Sequence, residues 1–178
     1  MNIKDIVKLG SFLMIVAAIA GIALSVTYIF TAPKIEEQKR LEINEALKEV
    51  LPKATEFKEV SKTVEGKTET FYIGLKDNLR IGAAFIASPT GYSGPIEMMV
   101  GINNQGIISG VKIISIKETP GLGMNAEDPK FLKQFKGKGE KDKLKAKLDI
   151  QAITGATITS QSVANGIREA LGKFKIYY

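Results

Sequence analysis

From Leu9 to Ala32 the chain carries no charged side chain, and this stretch constrains its fold more than any other feature. As a helix it spans ~36 Å, against a bilayer hydrocarbon core of ~30 Å. Gly10 and Gly21 are compatible with a membrane helix, and Tyr28 and Phe30 stand at its far end, where aromatic rings favour the interface. A cleaved leader fits less well, because its apolar region runs ~7–15 residues. It also needs a small-x-small site, and Ala32 has bulky Phe30 two residues before it and Pro33 after it. A buried core helix fails too, since nothing else in the chain could surround so apolar a segment. Residues 1–8 are therefore read as a tail, 9–32 as a transmembrane helix and 33–178 as one domain outside the bilayer. Lys4 and Lys8 on one side, against Lys34, Lys39 and Arg40 on the other, leave the orientation undecided by charge.

The chain has no cysteine and no histidine. That excludes disulfides, a Cys nucleophile, a Ser–His pair, thiolate-held iron–sulfur clusters, structural zinc and an axial haem histidine. No metal site is expected, and redox chemistry would need an organic cofactor. The formal charge is +6, of which the first 32 residues supply +1 through Lys4, Asp5 and Lys8. Such a domain could be drawn to anionic lipid or to an acidic partner. Nucleic acid is not expected, because no basic stretch is interleaved with aromatics as a stacking platform requires.

Along the domain, Pro33 is expected to break the membrane helix or to start the next one. An amphipathic helix follows from Lys34 to Leu51, with Ile35, Ile43, Leu47 and Val50 or Leu51 on one stripe, widened by Leu41 and Ala46, and Pro52 at its end. Strands are expected over Phe57–Val64, Thr68–Lys76, Arg80–Ala87, Ile96–Ile102 and Ile107–Lys117. Turns at Glu65–Gly66–Lys67, Asp77–Asn78 and Asn103–Gly106 separate them. Asp128 can cap a short helix with Pro129 at its first position, running to about Phe135. The lysine-rich segment Phe135–Lys147 reads as a solvated loop, with docking to an acidic neighbour as the other reading. A short strand is expected over Leu148–Ile153, then a helix from Gln161 to Leu171, capped by Ser160 and stopped by Gly172. The order describes an α+β domain with a mostly antiparallel sheet flanked by helices.

Three segments concentrate chemistry. In Thr154–Gly155–Ala156–Thr157–Ile158–Thr159–Ser160 four hydroxyls precede a helix, whose free N–H groups and dipole favour a phosphate. The glycine pattern is wrong for a P-loop and no lysine stands in it; alone, the segment could be only a good cap. Gly91–Tyr92–Ser93–Gly94–Pro95–Ile96 and Glu118–Thr119–Pro120–Gly121–Leu122–Gly123–Met124 each adjoin a strand. Each could be a tight turn, or could let backbone lie against a flat ring.

Together these segments resemble the FMN-binding domain family, and within it the G subunits of Rnf-type ion-pumping ferredoxin–NAD oxidoreductases. The residues concerned are GYSGPIEMMVGI (Gly91–Ile102), KETPGLG (Lys117–Gly123), FLKQFKGK (Phe131–Lys138) and TGATITSQSV (Thr154–Val163). The anchor and the helix ending in Val50–Leu51–Pro52 fit as well, so the resemblance covers nearly the whole chain. It implies FMN joined by a phosphoester bond to Thr157, attached by a flavin transferase. It places Glu118, Thr119, Gly121, Leu122 and Gly123 by the isoalloxazine ring, with Gly91 and Tyr92 near it. Thr154, Gly155, Ala156, Thr159 and Ser160 would surround the phosphate, and Thr157 is an attachment point, not a catalytic group. One departure stands out: the family often has Asp six residues before the modified threonine, where this chain has Gln151, with Asp149 two residues off register.

The resemblance implies an electron-carrying subunit in the cell membrane, with its domain on the extracytoplasmic side and its partners the other subunits of a redox complex. Two alternatives are a flavin-free assembly subunit and a membrane-tethered flavin-binding redox sensor.

Overall fold

The computed structural model describes residues 3–64 and 66–178. Met1, Asn2 and Glu65 lie outside them, and with them part of the expected tail and of the Glu65–Gly66–Lys67 turn. The chain divides into two compact units, Met1–Glu42 and Ile43–Tyr178.

Helix α1 (Ile3–Val50), most of which falls in the first unit, is long and apolar enough to cross a membrane. Phe12, Ile19, Leu24 and Phe30 are exposed. The expected break at Pro33 does not occur, and α1 runs through it. Proline removes one backbone donor from the helical ladder without ending it here. Ile35 and Leu41 were expected on the buried stripe but are exposed, and burial starts at Ile43.

The second unit is a five-stranded antiparallel meander, β1 (Glu56–Val64), β2 (Lys67–Lys76), β3 (Leu79–Ala87), β4 (Ile96–Asn103) and β5 (Ile108–Ile116), in sequence order. Asp77 and Asn78 both have positive φ, as the β2–β3 hairpin requires. The period of two splits the side chains between the faces. Phe71, Ile73, Phe85, Met98, Val100 and Ile102 pack with Val163 and Ile167 of helix α3 (Thr157–Tyr177). Tyr72, Ala84 and Met99 face Ala46, Leu47 and Val50 at the end of α1.

That end of α1 approaches closely because the sheet gives it glycines. Gly101 and Gly110 are paired across β4 and β5. A β-carbon on Gly101 would lie 2.3 Å from the Val50 carbonyl oxygen, and one on Gly110 2.9 Å from Val50 Cα. Ser109 Oγ donates to that same carbonyl at 2.5 Å, satisfying one of the orphan acceptors at the helix end. Gly101→Ala is expected to force α1 off the sheet and to destabilise the domain by about 2 kcal/mol. Urea unfolding monitored by circular dichroism measures this, and an unchanged midpoint would contradict it.

Two expectations at the C-terminal end are corrected. Leu148–Ile153 is not a strand and contributes only an isolated bridge between Ala146 and Ile150. The Asp149 side chain accepts from the backbone of Leu144 and Lys145, which folds the segment on itself. Helix α3 begins at Thr157, not Gln161, and passes Gly172 to reach Tyr177. A helical glycine costs ~1 kcal/mol, and contacts beyond it outweigh that. Tyr177 is buried, Phe174 meets Phe85 edge-on at 6.4 Å, and Lys173 is held by Glu69 at 2.7 Å and Glu169 at 3.0 Å.

Candidate functional site

The antiparallel order brings the end of β3, the start of β4 and the end of β5 to one edge of the sheet: Ala87 pairs with Met98, and Ile96 with Ile116. The loops after β3 and after β5 therefore meet there. The turn before α3 closes the same region, and a cleft of about 470 Å³ lies among the three. Tyr92 lines it from the first loop, Glu118, Thr119, Leu122 and Gly123 from the second, and Gly155 to Thr159 from the third.

Glu118 ties the three segments together. It is 8% exposed. Its Oε1 accepts from the backbone N–H of Tyr92 at 2.6 Å and of Ser93 at 3.1 Å, and its Oε2 accepts from Thr159 Oγ1 at 3.1 Å. Two glycines make room for it. A β-carbon on Gly91 would come within 2.1 Å of Oε1, and one on Gly123 within 2.5 Å of Oε2. Gly91 thus packs behind Glu118 instead of lining the cleft.

The loop after β5 turns at Gly121, whose φ is +74°. The amides of Leu122 and Met124 both donate to the Thr119 carbonyl, and a short 3-10 helix (Gly123–Glu127) follows. It leads into α2 (Pro129–Lys133), where Asp128 caps Lys130 N at 2.8 Å as expected. Leu122, 44% exposed, leans over the third segment: a β-carbon on Gly155, whose φ is +77°, would sit 2.9 Å from its Cδ2.

The four hydroxyls before α3 differ. Ser160, expected as the cap, lies inside the helix and is fully buried; its Oγ donates to Ala156 O and accepts from Ile153 N at 3.0 Å. Thr159 is buried on Glu118. Thr154 is exposed in the turn. Thr157 is half-buried and is the first residue of α3. The cap residue is Ala156, and among the described residues no side chain accepts from the first-turn amides. An uncapped helix start of this kind favours an anion.

Thr157 and Gly155 also border a second cleft, of about 770 Å³, with Gln134, Lys147, Gln151 and Thr154. Gly121 and Thr154 face a third depression. Gln134 pins the backbone of Gln151 from both sides, accepting from its N–H at 2.8 Å and donating to its carbonyl at 3.2 Å. The residues that sequence reasoning missed are Ile158, Gln134 and Lys147. Ile158 was legible as the one large apolar side chain among the hydroxyls; Gln134 stood in the FLKQFKGK motif and Lys147 at the end of the lysine-rich segment.

Asp149 does not take the place of a carboxylate at Gln151. Its oxygens accept from Leu144 N at 2.9 Å and Lys145 N at 2.7 Å, with Lys138 Nζ at 3.6 Å. Burial alone would raise its pKa, but the two amide bonds and the charge of Lys138 outweigh that and hold it below the ordinary carboxylate value. A depressed folded pKa stabilises above the unfolded value of about 3.9 and loses that contribution as pH falls through the folded one. The melting temperature is therefore expected to fall below about pH 4, and Asp149→Asn to show a weaker acid dependence. Identical acid profiles by calorimetry would refute this.

Comparison with known proteins gives a consistent picture. Residues 91–172 match the FMN-binding domain family, and residues 1–50 match the RnfG N-terminal region. The G subunit of the Na(+)-translocating ferredoxin:NAD(+) oxidoreductase complex of Acetobacterium woodii is 37% identical, over 94% of this chain and 91% of that protein. The G subunit of the proton-translocating complex of Clostridium ljungdahlii is also 37% identical, over 89% of this chain and 86% of the relative. Among solved structures, the C subunit of the Na(+)-translocating NADH-quinone reductase of Parabacteroides distasonis superposes with a TM-score of 0.52 at 21% identity, over 68% of this chain and 76% of that one. At that identity the likeness shows the fold, the α+β arrangement expected from the sequence.

Proposed function

This chain belongs to the G-subunit family of ion-translocating ferredoxin:NAD(+) oxidoreductase complexes, and from that membership we propose that it is the flavin-bearing electron relay of such a complex. In this reading α1 anchors it to the membrane, the domain stands on the extracytoplasmic side, and ferredoxin and NAD are handled by other subunits. FMN is held as a phosphoester on Thr157, attached by a flavin transferase.

The observation that supports this most is the uncapped start of α3 at the lip of the cleft, with Thr157 as its first residue. The residues fit the group. A cleft of about 470 Å³ lies within the usual range of ligand sites, ~300–1,000 Å³. Leu122, Ile158 and Tyr92 offer exposed apolar surface for a flat ring, and Thr119 offers a polar edge. The first-turn amides of α3 face the negative charge that a phosphodiester keeps. Thr157 Oγ would carry the phosphoester, its bond to phosphorus replacing the pyrophosphate bond of a flavin dinucleotide donor, with AMP as the leaving group and the hydroxyl proton passing to solvent. Once held, FMN accepts one or two electrons, which links one-electron donors to two-electron acceptors. Glu118 keeps the three loops in register, and Gly155 allows Leu122 to close over the turn.

The test is expression of the full chain with and without a flavin transferase, followed by a denaturing gel viewed under ultraviolet light before staining. A fluorescent band that depends on the transferase is expected. A dark lane, with the transferase active on another target, would sink covalent attachment. One observation favours a second reading, a flavin-free assembly subunit: Gln151 stands where the family often has Asp, and Asp149 is engaged elsewhere. A flavin absorption band in the purified native protein would dismiss it.

A further inference from the structure

The charge of this chain is concentrated in one place. Of its 25 basic and 19 acidic residues, residues 130–147 hold eight lysines against Glu140 and Asp142, and what remains is 17 against 17. The formal charge of +6 is therefore the charge of this segment.

Most lysine-rich loops are solvated and loose, but this one is fastened. Phe135 and Leu144 are buried beneath it. Arg168 donates to the carbonyls of Lys143 and Leu144 at 2.8 and 2.9 Å, and the Gln161 side chain accepts from Ala146 N at 2.9 Å. Lys130, Lys133, Lys136, Lys141, Lys143 and Lys145 are exposed, and none makes an ion pair among the described residues. Lys147, at the end of the same segment, lines the cleft of about 770 Å³ that Thr157 borders. Eight lysines held in one segment against only Glu140 and Asp142 within it repel one another, and a complementary surface removes that repulsion.

We infer that this fastened lysine face docks an acidic surface of a partner protein, which then exchanges electrons at the adjoining Thr157 site. The choice of a redox partner rests on the relay reading; the face itself does not. A protein suits it better than a bilayer for two reasons. The face ends in a concave cleft, which a protein edge fills and a flat headgroup layer does not. Segments that lie in a membrane interface also combine lysines with large apolar side chains, and none of the exposed large apolar residues falls between 125 and 147. Complementary charge sets encounter rate and orientation more than affinity, which is what repeated electron exchange needs.

Photo-crosslinking tests this. A photoreactive amino acid replaces Lys141 or Lys143 in the full chain, in membranes containing the whole complex, and adducts are mapped by mass spectrometry. Adducts should fall on a carboxylate-rich segment of a partner protein. Their yield should drop roughly tenfold at high salt, or when Lys133, Lys136 and Lys145 are changed to Glu. The full chain alone, in phosphatidylserine-rich and in phosphatidylcholine vesicles, reports lipid contact at the same positions. Adducts confined to lipid, no adducts, or a yield indifferent to charge reversal would each overturn the docking proposal. Flavin fluorescence of the same chain is read separately, so a dark chain would remove the relay reading and leave the crosslinks to judge the lysine face.

Discussion

If Thr157 carries the proposed phosphoester, Thr157→Ala is expected to remove all covalently held flavin, leaving the denatured mutant dark where the wild-type chain fluoresces, with the melting temperature of the domain unchanged. The loss is complete because no neighbouring hydroxyl can take over. Ser160 is buried with its oxygen bonded on both sides, and Thr159 is buried against Glu118. Thr154 is exposed, but it stands in the turn ahead of the helix, away from the first-turn amides that favour a phosphate. The fold should not notice the change. Thr157 is half-buried, its side chain makes no hydrogen bond among the described residues, and substitutions of that kind stay within about 0.5 kcal/mol. Thr157→Ser, which keeps the hydroxyl, should retain label. A fluorescent Thr157→Ala chain would move the attachment to Thr154, and a double mutant would then locate it.

The site was more legible than its supports. Three glycine-bearing segments far apart in sequence were readable as one site only through family resemblance, because their meeting depends on the meander, which returns both loops to one edge of the sheet. The strands themselves were legible because β-branched runs are bounded by strong turn signals such as Asp77–Asn78 and Asn103–Gly106. What failed has a common cause: local signals were overridden by contacts distant in sequence. Gly172 reads as a stop, yet α3 continues because Phe174 and Tyr177 find the sheet and the Tyr177 carbonyl accepts from Lys62 at 2.9 Å. Ser160 reads as a cap, yet the turn from Ile153 to Ala156 uses its hydroxyl to hold itself shut. Leu148–Ile153 reads as a strand, yet the Asp149 side chain bonds the amides ahead of it. The stripe on α1 reads as continuous from Ile35, and only the residues from Ile43 onward meet the sheet.

Glu118 supplies the test of how the site is held. Glu118→Ala leaves two part-buried backbone amides and the buried Thr159 hydroxyl without their acceptor. It also leaves a void against Gly91 and Gly123, which lack side chains to fill it. Removing a buried acceptor that serves several donors costs about 3 kcal/mol, and for a domain of this size that lowers the melting temperature by roughly 10 °C. Glu118→Gln separates shape from charge. Its amide oxygen can still accept from Tyr92 and Ser93, and its amino group can donate to Thr159, whose hydroxyl then reverses direction. The expected cost is about 1 kcal/mol. If Glu118 is the clamp that the geometry implies, the Gln variant keeps flavin and nearly wild-type stability, and the Ala variant loses stability and labels poorly. Equal stability losses in the two, measured by thermal unfolding, would mean that the charge on Glu118 matters and the clamp does not.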